Sequence, residues 1–184
     1  MISTTASTRM DYLSNGLIYP TNLFSFNLDE VIEKVIGLFN AAIREKIILL
    51  ENNIQNKNLT LYNDKLVVEL IIANLFRRSL SRLPKEGIFQ VDATRYGEQI
   101  EISFLDNGYF IEEDIDEEPP EVCLKWESFL FLKESLLEKM IFEIDGKVKL
   151  KQLSTGTNQM MLFLPIEVTP EKPNYPDNVI SLFG

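Results

Sequence analysis

The chain contains no histidine among its 184 residues, and it has a single cysteine, Cys123. Without histidine there is no Ser-His-Asp or Cys-His triad, no histidine metal site and no phosphohistidine intermediate on this chain. One cysteine cannot form an internal disulfide, and no activating neighbour surrounds Cys123 in sequence, so we interpret it as inert. Side-chain catalysis is therefore disfavoured, although carboxylates can still bind Mg²⁺ or transfer protons.

Long apolar runs are also missing from the chain. No run approaches the roughly 20 residues that a membrane-spanning helix needs. The N-terminal segment MISTTASTRMDYLSNG lacks the hydrophobic region of a secretory signal. We therefore expect a cytoplasmic protein without membrane insertion.

Positive charge is scarce, with 18 Lys and Arg against 28 Asp and Glu, which gives a net charge of −10. A chain of this charge repels phosphate backbones, so we expect no nucleic-acid partner. The basic cluster of Arg77, Arg78 and Arg82 is the local exception. It fits either a phosphate or acidic partner or an ordinary solvated helix face, and one of its arginines can pair with Asp106 or with the acidic segment 112–121.

Apolar periodicity predicts the order of secondary structure between two polar ends. We interpret residues 1–22 as a flexible arm, 23–168 as the folded domain and 169–184 as a tail. Three-to-four-residue spacing predicts helices at 28–46, 65–83 and 126–142. Short apolar or alternating segments predict strands at 47–50, 59–62, 89–93, 100–104, 148–150 and 160–166. This order defines an α+β fold, a two-layer α/β sandwich with a mixed sheet and three helices on one face.

Four motifs follow one another in this predicted framework. They are NLFRRSLSRLPKEG at 74–87, DNGYFI at 106–111, DGKVKLKQLSTGT at 145–157 and MMLFLPI at 160–166. Their order and spacing resemble the ATP-binding domain of sensor histidine kinases, a fold shared with gyrase, heat-shock chaperone ATPases and MutL. The resemblance covers roughly residues 24–167.

The resemblance implies roles for three residues of a nucleotide site. Asn74 matches the first asparagine of the family's N-box helix. Asp106 matches the aspartate that hydrogen-bonds the adenine amino group, and Gly108 follows it at the family's spacing. Asp-Asn-Gly after a strand is equally an ordinary turn signal with no ligand.

Departures from the family pattern fall at the phosphate end of that site. Arg78 stands where the family has the asparagine that holds Mg²⁺, and Phe110 stands at the second glycine of DxGxG. Phe129 and Phe131 fall on the family's next glycine-rich segment, and no glycine occurs between Gly108 and Gly146. The acidic segment 112–121 replaces the lid that covers ATP. It suits either a basic docking partner or plain solvation.

These departures predict a degenerate domain that binds no cofactor and no metal and has no catalytic residue. We expect Phe129 and Phe131 to occupy the space of the lost phosphates. Arg78 should pair with a carboxylate, for which Asp106, Glu134 and the 112–121 segment are the nearest candidates.

The function that follows is a non-catalytic protein-interaction or regulatory module in bacterial two-component phosphosignalling. It cannot relay phosphate through a histidine of its own. The expected partner is a receiver domain, another histidine kinase or a second copy in a homodimer. The alternative is a divergent ATP-binding protein or histidine kinase fragment that still binds adenine nucleotide through Asp106 and Asn74.

Overall fold

A computed structural model describes residues 22–54, 58–109, 134–153 and 156–168. Seven strands and four helices are found in these ranges. In chain order they are β1 Leu23–Asn27, α1 Leu28–Leu38, α2 Asn40–Glu45, β2 Leu49–Asn52, β3 Thr60–Asp64, α3 Lys65–Arg82, β4 Ile88–Tyr96, β5 Gln99–Asp106, α4 Glu134–Glu143, β6 Lys147–Gln152 and β7 Asn158–Pro165.

Five of the strands form one mixed sheet in the order β2-β4-β5-β7-β6. The β2 strand runs parallel to β4, and the other neighbours are antiparallel. The β4–β5 hairpin closes through a pair between Tyr96 and Gln99, and Gly97 has a φ of +61° in its turn. This architecture confirms the predicted α+β fold with a mixed sheet.

One face of the sheet is buried against the helices. Residues at alternate positions of β4 and β5 are 0–1% exposed, as the sequence pattern predicted: Phe89, Val91, Ala93, Ile100, Ile102 and Phe104. Aromatic rings continue this core into the helical layer, with centroid distances of 4.7 Å between Phe76 and Phe89 and 5.4 Å between Phe39 and Phe76. The helical layer therefore rests on the centre of the sheet.

Helix α3 is the element that connects the core to the candidate site. The Asp64 carboxylate caps its first turn by accepting the N–H groups of Leu66 and Val67 at 3.1 and 3.4 Å. The helix ends at Arg82, because Leu83 precedes Pro84 and takes an extended conformation. Most of its sides are buried, as predicted, and its last turn lies beside the end of β5.

Three elements differ from the sequence prediction. The single helix expected over 28–46 breaks at Phe39, whose N–H is shared between the carbonyls of Val35 and Ile36. Ile47 then adopts a φ of +55°, so the strand begins at Leu49 rather than 47. The β1 strand was not predicted; it pairs with β3 in a separate two-stranded sheet.

The third predicted helix is described from Glu134 onward. Its predicted start at 126–133 lies outside the described residues, as do most of the arm and the tail. Within the described ranges, no helix has both the length and the apolar character needed to cross a membrane.

Candidate functional site at the end of strand β5

Asp106 is the last residue of the central strand β5. Strand alternation places its side chain on the helix-facing side, in line with Ile102 and Phe104. Its Cα partner on the neighbouring strand β7 is Asn158, and the two residues are 2% and 0% exposed. A carboxylate buried to this degree needs polar partners.

Three groups donate to the Asp106 carboxylate. Its Oδ1 accepts the backbone N–H of Gly108 at 3.0 Å and Nδ2 of Asn158 at 2.9 Å. Its Oδ2 accepts Nη2 of Arg82 at 2.9 Å in an ion pair whose side chains are 9% and 0% exposed. We call Arg82, Asp106, Gly108 and Asn158 the Asp106 cluster. In it, a fixed cation already neutralises the buried carboxylate.

The backbone after Asp106 lies directly against the end of helix α3. A Cβ at Gly108 would come within 2.8 Å of the backbone carbon and oxygen of Arg82, so only glycine permits this approach. Tyr109 donates its N–H to the Arg82 carbonyl at 3.2 Å, and Nδ2 of Asn158 donates to the Gly108 carbonyl at 2.9 Å. Strand end and helix end are therefore joined by both backbone and side chains.

Lys46 also supports the end of this helix. Its ammonium donates to the carbonyls of Leu80 and Leu83 at 2.7 and 3.0 Å. Burial lowers the pKa of Lys46 from its usual value. The negative charge of the neighbouring Glu45 opposes that shift, because it favours the charged ammonium and raises the pKa of Lys46.

Two buried polar atoms of the Asp106 cluster have no hydrogen-bond partner among the described residues. They are Oδ1 of Asn158 and Nε of Arg82. The cluster thus keeps one acceptor and one donor for a further polar contact, whereas its carboxylate is already engaged.

The other site residues predicted from sequence lie on helix α3. Asn74 is 1% exposed, and its Nδ2 donates to the Leu70 carbonyl of the same helix at 2.8 Å. Arg78 is half-buried. The arginine that pairs with Asp106 is Arg82, one turn beyond Arg78. The structure thus brings Asp106 and Gly108 together with Arg82, and the role proposed for Arg78 stays a prediction.

Several predicted features lie outside the described residues. These are the expected pocket-filling residues Phe110, Phe129 and Phe131, the acidic segment 112–121 and Cys123. The expectation that the phenylalanine rings fill the phosphate space therefore stays a prediction.

Sequence reasoning missed Asn158 and Lys46. Asn158 follows the STGT segment, and alternation with Met160 and Leu162 could have placed it on the buried face. Its pairing with Asp106 depends on the register between β5 and β7, which one sequence does not show. Nothing in the sequence around Lys46 indicates its role, because the carbonyls that it binds belong to the distant end of helix α3.

The described residues contain no group of three or more cysteine, aspartate or glutamate side chains placed to hold a metal ion. The cluster offers hydrogen bonds and one buried ion pair, which fix a geometry, and its carboxylate is already engaged by three donors.

Comparison with solved structures identifies the class of fold. The chain has the fold of histidine kinase catalytic domains, as the sequence motifs predicted. No protein-family model and no curated protein sequence matches the chain.

Three solved structures illustrate the likeness. The catalytic domain of histidine kinase ThkA is 20% identical, with a TM-score of 0.64 over 81% of this chain and 100% of that domain. ThkA in complex with the response regulator TrrA is 21% identical, with a TM-score of 0.62 over 92% of this chain and 50% of that one. Full-length ShkA in complex with AMPPNP is 11% identical, with a TM-score of 0.63 over 91% of this chain and 38% of that one.

Proposed function

We propose that this chain is a non-catalytic histidine-kinase-like domain that acts as a protein-interaction or regulatory module in two-component phosphosignalling. The observation that carries the proposal is the buried Arg82–Asp106 pair of 2.9 Å. In the family that the motifs resemble, this aspartate receives the adenine amino group. Here a guanidinium of the protein itself donates to it, and a ligand must displace that charge to reach the carboxylate.

The sequence supports the same proposal at the phosphate end. Arg78 stands in place of the Mg²⁺-holding asparagine, and the stretch between Gly108 and Gly146 contains no glycine to wrap phosphates with backbone N–H groups. The absence of histidine prevents the chain from carrying a phosphoryl group on its own imidazole. Nucleotide binding, metal binding and phosphate relay are therefore all disfavoured by separate features.

Binding of a protein partner is the use that we propose for the domain. ThkA, with the same fold, has been crystallised with its response regulator TrrA. We propose a receiver domain or a second histidine kinase as the partner of this chain. The test is calorimetric titration of the chain with receiver domains purified from the response regulators of its source organism. Saturable binding by one of them that does not require ATP supports the proposal; heat evolved only in the presence of ATP-Mg²⁺ contradicts it.

The alternative function is nucleotide binding through Asp106 and Asn74. The unsatisfied atoms of Asn158 and Arg82 favour it, because they are a buried acceptor and donor beside Asp106. The neighbouring structure of ShkA with AMPPNP belongs to the same fold. Titration with ATP-Mg²⁺ separates the two functions.

A further inference from the structure

The two edges of the five-stranded sheet are chemically different. On β6, the outward-facing positions are Lys147, Lys149 and Lys151. Lysines along an edge strand prevent other chains from pairing with it. The opposite edge strand, β2, has the sequence LLEN, without lysine or proline. In the part of the chain that the structure describes, one edge is therefore protected, and the other has no strand paired to it.

Backbone groups of β2 face that open edge. The N–H groups of Leu49 and Asn53 bond to the carbonyls of Gly87 and Val91, both at 2.9 Å, on the β4 side. Because successive residues alternate, the N–H and carbonyl of Leu50 point away from β4. An antiparallel strand can pair with them.

Three apolar side chains lie where β2 begins. Ile47, Leu49 and Ile88 are 55%, 56% and 46% exposed, and Leu49 and Ile88 are Cα partners across β2 and β4. We call these three residues the edge patch. Charged residues near it in sequence are balanced, since Arg44, Lys46 and Lys85 offset Glu45, Glu51 and Glu86, whereas the whole chain carries a net charge of −10.

Ile47 is the unusual member of the edge patch. It follows helix α2 with a φ of +55°, in the left-handed position where helices usually place glycine or asparagine. A β-branched residue is strained there. Since more than half of its side chain is exposed, burial within the chain does not offset the strain. An exposed apolar residue in this strained conformation suits burial against another surface.

We propose that the β2 edge and the edge patch form an interface with a second copy of this chain. The two β2 strands pair antiparallel about Leu50, which joins the two sheets into one. Strand alternation restricts the register, because residues that pair across the two strands must lie on the same face of the joined sheet. Leu50 then lies opposite Leu50 of the second copy, and Leu49 lies opposite Glu51, so no like charges are directly opposed.

A second copy is the occupant because such a contact closes on itself. About a two-fold axis the two β2 edges pair with each other. The lysine-bearing β6 edges then form both ends of the joined sheet and prevent further chains from adding to it. The result is a dimer rather than a fibre. This inference is independent of the nucleotide question, because β2 contributes no residue to the Asp106 cluster.

Sedimentation equilibrium over a concentration series tests the dimer. We expect the wild-type chain to dimerise reversibly, and Leu49→Lys to weaken association at least tenfold. The matched control is Leu150→Lys on β6, a 45% exposed leucine that receives the same charge. It should dimerise like the wild type. A wild-type chain that stays monomeric, or a Leu49→Lys variant that dimerises unchanged, overturns the proposal.

Ile47→Asn gives a second readout, which a purely structural role does not produce. Asparagine tolerates a positive φ, so the variant should melt at a higher temperature as a monomer while its association weakens. A lower melting temperature together with unchanged association would show that Ile47 serves only the fold, and would overturn the interface.

Discussion

Arg82 and Asp106 lie 2.9 Å apart with side chains only 9% and 0% exposed, so neither charge is solvated by bulk water. Such a pair contributes little to the free energy of folding, since the cost of desolvating both ions offsets their attraction. It matters when one partner is lost, because the other is then a buried charge without compensation. This asymmetry makes the pair a constraint on which groups may approach Asp106.

Arg82→Met should destabilise the fold by about 3–5 kcal/mol, because it leaves the Asp106 carboxylate buried and without its cation. Urea unfolding measures the change. The double variant Arg82→Met with Asp106→Leu should recover most of the loss, since no buried charge remains. Arg95→Met, at an exposed arginine in the β4 strand, is the matched control and should change stability by less than about 1 kcal/mol. An equal loss of stability in Arg82→Met and Arg95→Met would contradict the buried pair.

Gly108→Ala should cost roughly 1–3 kcal/mol, because its Cβ would lie 2.8 Å from backbone atoms of Arg82 that cannot rotate away. Gly37→Ala is the matched control. A Cβ there meets nothing within 4 Å, and alanine in a helix is favoured over glycine by roughly 0.5–1 kcal/mol. Thermal melting should move in opposite directions for the two variants, and a neutral Gly108→Ala would refute the close approach.

At the scale of the element, helix α3 positions the site because side-chain contacts stabilise both of its ends. Asp64 caps its first turn, while Lys46 and the Asp106 cluster bind its last turn. The 18-residue length of the helix sets which arginine reaches β5. Arg78 and Arg82 share one side of it, and the one nearer the helix end meets Asp106.

Asp64→Ala should destabilise the fold by about 1–2 kcal/mol, because the N–H groups of Leu66 and Val67 lose their acceptor. Asp64→Asn retains an acceptor oxygen and should lose much less. Guanidinium unfolding of both variants measures the cap. Equal losses would mean that the charge of Asp64, rather than its cap, supports the helix.

Periodicity alone was sufficient to predict α3, the β4–β5 hairpin and the buried face of the sheet. It failed where a contact depends on distant segments. The β1 strand is defined by its pairing with β3, and Asn158 joins the Asp106 cluster through the β5–β7 register. The helix break at Phe39 depends on local backbone geometry that the continuous apolar stripe conceals. Motif spacing located Asp106 and Gly108, but the choice of Arg82 over Arg78 required the helix end.

At the scale of the whole molecule, the fold of a histidine kinase catalytic domain occurs in a chain with no histidine and a net charge of −10. The proposed interaction function explains two features of this sequence, the absence of histidine and the glycine-free stretch between Gly108 and Gly146.

Autophosphorylation should be undetectable. Incubation with γ-labelled ATP and Mg²⁺ should leave no label on the chain and release no phosphate above background, because the sequence between Gly108 and Gly146 contains no glycine to wrap phosphates. Arg78→Asn should behave in the same way, since restoring the Mg²⁺-ligand position does not restore the missing glycines. Label on either protein would contradict the proposed loss of catalysis.

Thermal melting with and without ATP-Mg²⁺ tests the central claim most directly. A ligand at 100 times its Kd stabilises a folded protein by about 2.7 kcal/mol, which corresponds to a shift of roughly 5–10 °C for a domain of this size. With Arg82 paired to Asp106, we expect the melting temperature to stay unchanged at millimolar ATP-Mg²⁺. A saturable rise that is abolished by Asp106→Asn would show that the site binds nucleotide and would contradict the account.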